Sequence, residues 1–102
     1  LQGEYGTALG VLLDYQGPVT ANLLVQRLAY AILSGNRQAS AALYTQYQSI
    51  AALHTIPDFL YYSMVISLMH ADTEAAGNWF ERIPEGSIFK ANGRLFLQRF
   101  QR

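Results

Sequence analysis

The 102-residue sequence predicts an all-α chain, a stack of antiparallel helical hairpins with about five to six helices. Three observations predict it. Apolar residues recur at spacings of three and four through most of the chain. Gly-Pro, Gly-Asn and Pro punctuation cuts that pattern into segments of helical length. From Phe59 to Ala71 no residue is formally charged at pH 7 and apolar residues fall on every side, as in a central, buried helix.

The stretch Ile56–Pro84 carries the pattern furthest. Phe59, Leu60, Tyr62, Met64, Val65, Ile66, Leu68 and Met69 make the first arm, with Asp58 after Pro57 as its expected cap. Thirteen residues at about 1.5 Å each make roughly 20 Å of helix, short of the roughly 30 Å hydrocarbon core of a bilayer, so no membrane span is expected. Asp72 or Thr73 caps the second arm, where Ala75, Ala76, Trp79, Phe80 and Ile83 face inward and Asn78, Glu81 and Arg82 outward. Pro84 stops it.

Upstream, Gly3–Asp14 places Tyr5, Ala8, Leu9, Leu12 and Leu13 on one stripe. Gly6 and Gly10 each cost roughly 1 kcal/mol relative to Ala inside a helix, a cost expected to permit close approach of a neighbour. A helix from about Ala21 to Ser34 follows the Gly17-Pro18 turn, capped by Thr20, and Gly35-Asn36 is expected to end it as a left-handed pair. The next arm runs from Arg37 to about Leu53, with Ala39, Ala42, Leu43, Tyr47, Ile50 and Leu53 inward. After Glu85-Gly86-Ser87 a last helix covers Ile88 to about Gln101, with Ile88, Phe89, Leu95, Phe96 and Phe100 closing the end of the stack and a break expected at Asn92-Gly93.

The formal net charge is zero, so no global field favours nucleic acid or membrane. The distribution is uneven. Residues 1–86 hold all seven acids against Arg27, Arg37 and Arg82, a net of −4, and Lys90, Arg94, Arg99 and Arg102 make the remainder +4. A solvated helix end whose cations suit the dipole explains that cluster, with a basic docking tail as the alternative. Hydrophobic residues make up 51% and charged ones 14%. A surface so sparsely charged favours a partner or self-association. There is no cysteine, so neither a disulfide framework nor a thiolate metal site exists. The cytoplasm is the expected compartment, with the periplasm as the alternative.

An offset of 36 residues aligns two stretches without gaps: Leu24 with Leu60, Leu28 with Met64, Gly35 with Ala71, Ser40 with Ala76 and Tyr44 with Phe80. Small residues let two arms approach and an aromatic fills the gap to the next hairpin. This arrangement, and Gly3, Tyr5, Ala8 and Leu12 in particular, resembles the tetratricopeptide repeat family, whose second arm carries a Gly, a Tyr, an Ala and a bulky residue at those spacings. Two departures stand beside it: Leu24 and Leu60 replace the family's early Trp, and the period exceeds the family's 34. The division expected from the resemblance is a half repeat over 1–15, repeats over 21–53 and 58–84, and a capping helix over 87–101, all one helical-repeat domain cut from a longer chain.

No enzyme is expected. His54 and His70 lie sixteen residues apart without a carboxylate at metal-ligand spacing, and Glu81 and Glu85 straddle Pro84. No metal or cofactor is therefore expected. The seven tyrosines point to binding instead, because an apolar ring with a polar tip suits an interface. Gln26, Arg27, Tyr30, Tyr61 and Ser63 are the expected groove residues, first arms lining the concave face of such stacks, and Tyr47 is a further expected contact. The resemblance implies a small bacterial adaptor or chaperone, of the secretion or pilus assembly kind, holding a helical or extended peptide of a protein partner. Two alternatives are the C-terminal regulatory part of a transcription factor and a subunit that completes its core as a homodimer. Nucleic-acid contact within this segment is disfavoured.

Overall fold

A computed structural model describes residues 2–100, and among these the chain is all-α, with six α-helices and no strand. They are α1 (Gln2–Leu13), α2 (Ala21–Leu33), α3 (Arg37–Tyr47), α4 (Pro57–Met69), α5 (Thr73–Arg82) and α6 (Ile88–Phe100). The expected end of the last helix at Gln101, the charge of Arg102 and the packing of the Phe100 side chain lie outside the described residues. The chain divides into two compact units, residues 1–53 and 54–102.

In the first unit α2 is the middle element, packed by α1 on one flank and α3 on the other. Thr20 starts it as expected, its Oγ1 accepting from the Leu23 backbone N–H at 3.2 Å. Leu28 and Ala31 are fully buried along its core stripe. Gly35 takes the left-handed turn with φ 76°, but Asn36 does not share it. Asn36 is the cap of α3 instead, accepting from Ala39 N–H at 3.0 Å, because a short amide at that place satisfies a donor that the first helical turn leaves open.

The expectation that α3 reaches Leu53 is corrected: it closes at Tyr47. A 3-10 segment over Ala51–Thr55 follows, entered by Ile50 N–H donating to Tyr47 O and Leu53 N–H donating to Ile50 O, both at 3.0 Å. The tighter winding turns the chain so that Leu53 is fully buried, burial worth about 1.5–3 kcal/mol for a Leu.

The second unit is built on α4, which packs against both α5 and α6 as its central position in the sequence pattern demands. Phe59, Met64 and Ile66 are fully enclosed, and Leu60 and Leu68 nearly so. Asp58 does not cap it: Ile56 holds the cap position with no side-chain bond, and Pro57 opens the helix. Proline suits that place, its fixed φ being helical and its missing N–H one that would lack a partner anyway. Asp72, not Thr73, caps α5 through Ala75 N–H at 3.0 Å. Ser87 Oγ accepts from Phe89 N–H at 3.1 Å and so starts α6. No break occurs at Asn92-Gly93; α6 runs through. A Cβ on Gly93 would stand 3.2 Å from Phe80 Cδ1 and 3.3 Å from Met64 Sδ, so glycine there lets α6 settle on α4 and α5 without interrupting the helix.

Gly3, Gly6 and Gly10 behave differently. A Cβ at any of them would meet nothing within 4 Å, which corrects the expectation of a close neighbour. These glycines lie away from the stripe of Tyr5, Leu9 and Leu12 that α1 turns toward α2, and so face outward.

Candidate functional site

Of the six residues expected at a partner-binding groove, Gln26 lies in the wall of a cavity. Arg27 is half-buried, and its Nε donates to Leu12 O at 3.0 Å. That bond satisfies a carbonyl at the C-terminal end of α1, where a cation also meets the negative end of the helix dipole. Tyr30 stacks on Tyr5, ring centroids 5.9 Å apart at 29°. Both residues therefore hold α1 to α2. Tyr61 does the same for α4 and α6, meeting Phe89 at 5.4 Å and Tyr62 edge-on at 5.3 Å. Burial raises its phenol pKa from the ordinary 10.0.

Two expectations are corrected by burial. Tyr47 is 2% exposed and Ser63 fully enclosed, so neither presents a surface to a partner. The apolar ring of Tyr47 is taken up by the interior, and Ser63 sits on the helix that the core encloses from every side. Ser63 Oγ has no hydrogen-bond partner. Ser67, one turn on, bonds back to Ser63 O at 2.8 Å.

The cavity beside Gln26 belongs to the first unit. It holds about 380 Å³ and is lined by Tyr15, Pro18, Thr20, Asn22, Leu23 and Gln26. Pro18 of the Gly17-Pro18 turn is part of its wall. A side chain at position 17 would run into the Tyr15 ring, so glycine allows that ring to lie across the turn. Leu13, Tyr15 and Val19 are all exposed within seven residues of chain, and Tyr15 lines the cavity. Thr20, Asn22 and Gln26 supply the hydroxyl and amide groups. No formal charge lines the cavity. Such a surface can take an apolar side chain and hydrogen-bond the polar flank of whatever carries it.

The second unit has a more charged groove of about 300 Å³ between α5 and α6, lined by Gly77, Phe80, Glu81, Arg94, Leu97 and Gln98. Arg94 also pairs with Glu85 at 3.5 Å. Lys90 is 4% exposed, its Nζ donating to Phe80 O at 2.8 Å and lying 4.1 Å from the Phe80 ring centroid. The basic segment is thus partly spent inside the unit, which corrects the expectation of a cluster solvated throughout. Periodicity alone does not show a lysine turned inward.

Sequence reasoning also left out an aromatic cluster around His54. Its ring stacks on Phe59 at 5.9 Å and meets Trp79 edge-on at 5.3 Å. Arg82 lies over the Trp79 ring at 5.1 Å and approaches His54 Nδ1 at 3.2 Å. A guanidinium only donates, so Nδ1 accepts and the ring N–H sits on Nε2. The exposed Arg82 beside a T-shaped aromatic pair could have been sought at its spacing of three from Trp79, but His54 comes from another segment. Among the described residues no group of three or more His, Asp and Glu is placed to hold a metal ion. None of the described helices is long and apolar enough to cross a membrane.

No family model, curated protein or solved structure matches this chain.

Proposed function

We propose that the chain is a protein-interaction module, an adaptor or chaperone that holds a helical or extended segment of a protein partner at the cleft of its first unit. One observation carries this reading: an open cleft is lined by the apolar Tyr15, Pro18 and Leu23 beside the uncharged polar Thr20, Asn22 and Gln26, with the exposed Val19 between two of its lining residues in sequence. Exposed apolar side chains clustered at a concavity mark an interaction site more often than scattered ones do. A partner segment with one or two large apolar anchors and flanking amides would fill the cleft. The absence of charge in the lining favours shape and apolar contact over steering. The resemblance to tetratricopeptide repeats is consistent with the same class of function. A bacterial secretion or pilus assembly role is the narrower form of the proposal.

The test is to select peptides by display against the chain and map them by nuclear magnetic resonance. Shifts expected to follow binding are those of Tyr15, Val19, Leu23 and Gln26. Val19→Asp should reduce affinity about tenfold or more, near 1.4 kcal/mol, with the fold unchanged. Peptides that bind elsewhere, or that ignore Val19→Asp, would overturn the proposal.

A further inference from the structure

The outward face of α6 is apolar and basic. Ile88 and Leu95, 70% and 61% exposed, stand seven residues apart on one stripe, with Ala91 between them and Arg99 one turn beyond. Side chains of that size on one face of a helix leave apolar area in water that a cover would remove. Of the cations of α6, Lys90 is enclosed against Phe80 and Arg94 pairs with Glu85, which leaves Arg99 as the cation of this face.

The outward face of α1 is its complement. Val11 is exposed there, and Gly3, Gly6 and Gly10 leave bare backbone. Thr7 Oγ1 donates to Gly3 O at 3.0 Å, so this face makes little polar demand of its own. The charges in and just after α1 are Glu4 and Asp14, without a cation. Gly3 and Gly10 are also seven apart. On either helix seven residues rise about 10.5 Å, so the two protrusions of α6 and the two bare positions of α1 match in spacing. With the helices parallel, Ile88 at Gly3 and Leu95 at Gly10, the same offset carries Arg99 to Asp14. Glycines alone would name no partner. The pairing of Arg99 with Asp14 and the matched apolar relief do.

We propose that α6 of one copy docks on α1 of a second copy. Ile88, Leu95 and Arg99 on α6, and Val11 and Asp14 in and just after α1, are exposed in the single chain. Because the two faces differ, the contact is heterologous: it leaves an α1 face and an α6 face available at the ends, and the assembly grows or closes into a ring. The proposal concerns a different surface from the cleft of the first unit and does not depend on it.

Sedimentation velocity over a concentration series tests it. The unaltered chain should shift to larger species as concentration rises. Leu95→Glu, which removes an α6 protrusion, and Gly10→Arg, which fills an α1 position with room around it, should each weaken association about tenfold or more. Gly10→Arg should leave helicity by circular dichroism equal or higher, since any residue but proline improves on glycine in a helix interior. Mixing the two variants is the discriminating step. Each retains one intact face, so the mixture should form a one-to-one pair that does not grow. A chain that stays monomeric at millimolar concentration, association that ignores both variants, or a mixture that fails to pair would each overturn the proposal.

Discussion

Gly35 and Ala71, 36 residues apart, hold the same left-handed backbone position at the turn of their hairpins, with φ 76° and 59°. Each is followed by a capping residue, Asn36 or Asp72, whose side-chain oxygen accepts from an N–H three residues on. Only the glycine suits the position sterically. A left-handed non-glycine residue costs roughly 1–2 kcal/mol, partly offset by the smaller entropy that alanine loses on folding. Ala71→Gly is therefore expected to stabilise the chain by about 0.5–1 kcal/mol, with Gly35→Ala losing a similar amount. Urea denaturation of both variants checks the pair, and a loss on Ala71→Gly would show that the turn is not strained.

Ser63 carries a buried hydroxyl without a partner. Its dehydration is not repaid by a hydrogen bond, and such groups cost about 1–3 kcal/mol. Ser63→Ala should raise stability by about 1 kcal/mol. Ser67→Ala should not, because its hydroxyl bonds to Ser63 O. Equal responses of the two variants in thermal unfolding would count against the difference drawn between them.

Lys90 joins α6 to the last turn of α5 through the Phe80 carbonyl and ring. Lys90→Met keeps most of the stem and removes the charged donor, and is expected to cost about 1–3 kcal/mol. Glu85, 3.8 Å from the same ammonium, is largely exposed, so Glu85→Ala should change stability by less than about 1 kcal/mol. Chemical denaturation of both variants would rank them; a larger effect at Glu85 would mean that the ion pair, not the carbonyl, holds the lysine.

Tyr61 links pH to folding. Its phenol titrates above the ordinary 10.0 because burial disfavours the phenolate. The folded chain then keeps a proton that the unfolded chain has released. Stability from this group is full below the unfolded value and falls as pH rises through the folded one. Tyr61→Phe should flatten the alkaline decline of stability. An alkaline limb unchanged in the variant would place the cause in another tyrosine.

The helices were legible because their evidence is local. Periodicity and caps at Thr20 and Asp72 are written within four residues of each helix start, and the uncharged run over Phe59–Ala71 marked α4 as central. What failed depended on partners distant in sequence. Asn92-Gly93 reads as a break until Phe80 and Met64 stand against Gly93. Lys90 reads as solvated until the Phe80 carbonyl meets it. The binding residues suffered most, because a tyrosine at a helical spacing looks the same whether it faces a neighbouring helix, as Tyr30 faces Tyr5, or solvent. Gln26 was expected from its place on a first arm, whereas the cleft it lines is formed with Tyr15, Pro18 and Thr20 of the preceding loop, which that expectation did not include.

Lys90 is the chain's single lysine, and it is enclosed. Reagents and enzymes that acylate, methylate or conjugate lysine amines therefore find no such group on the folded surface. Lysine-directed cross-linkers would not register a partner, however tightly held, and carboxylate or tyrosine chemistry has to be used in their place. The same enclosure makes Lys90 a reporter: its rate of amine labelling measures how often α6 lifts away from α5.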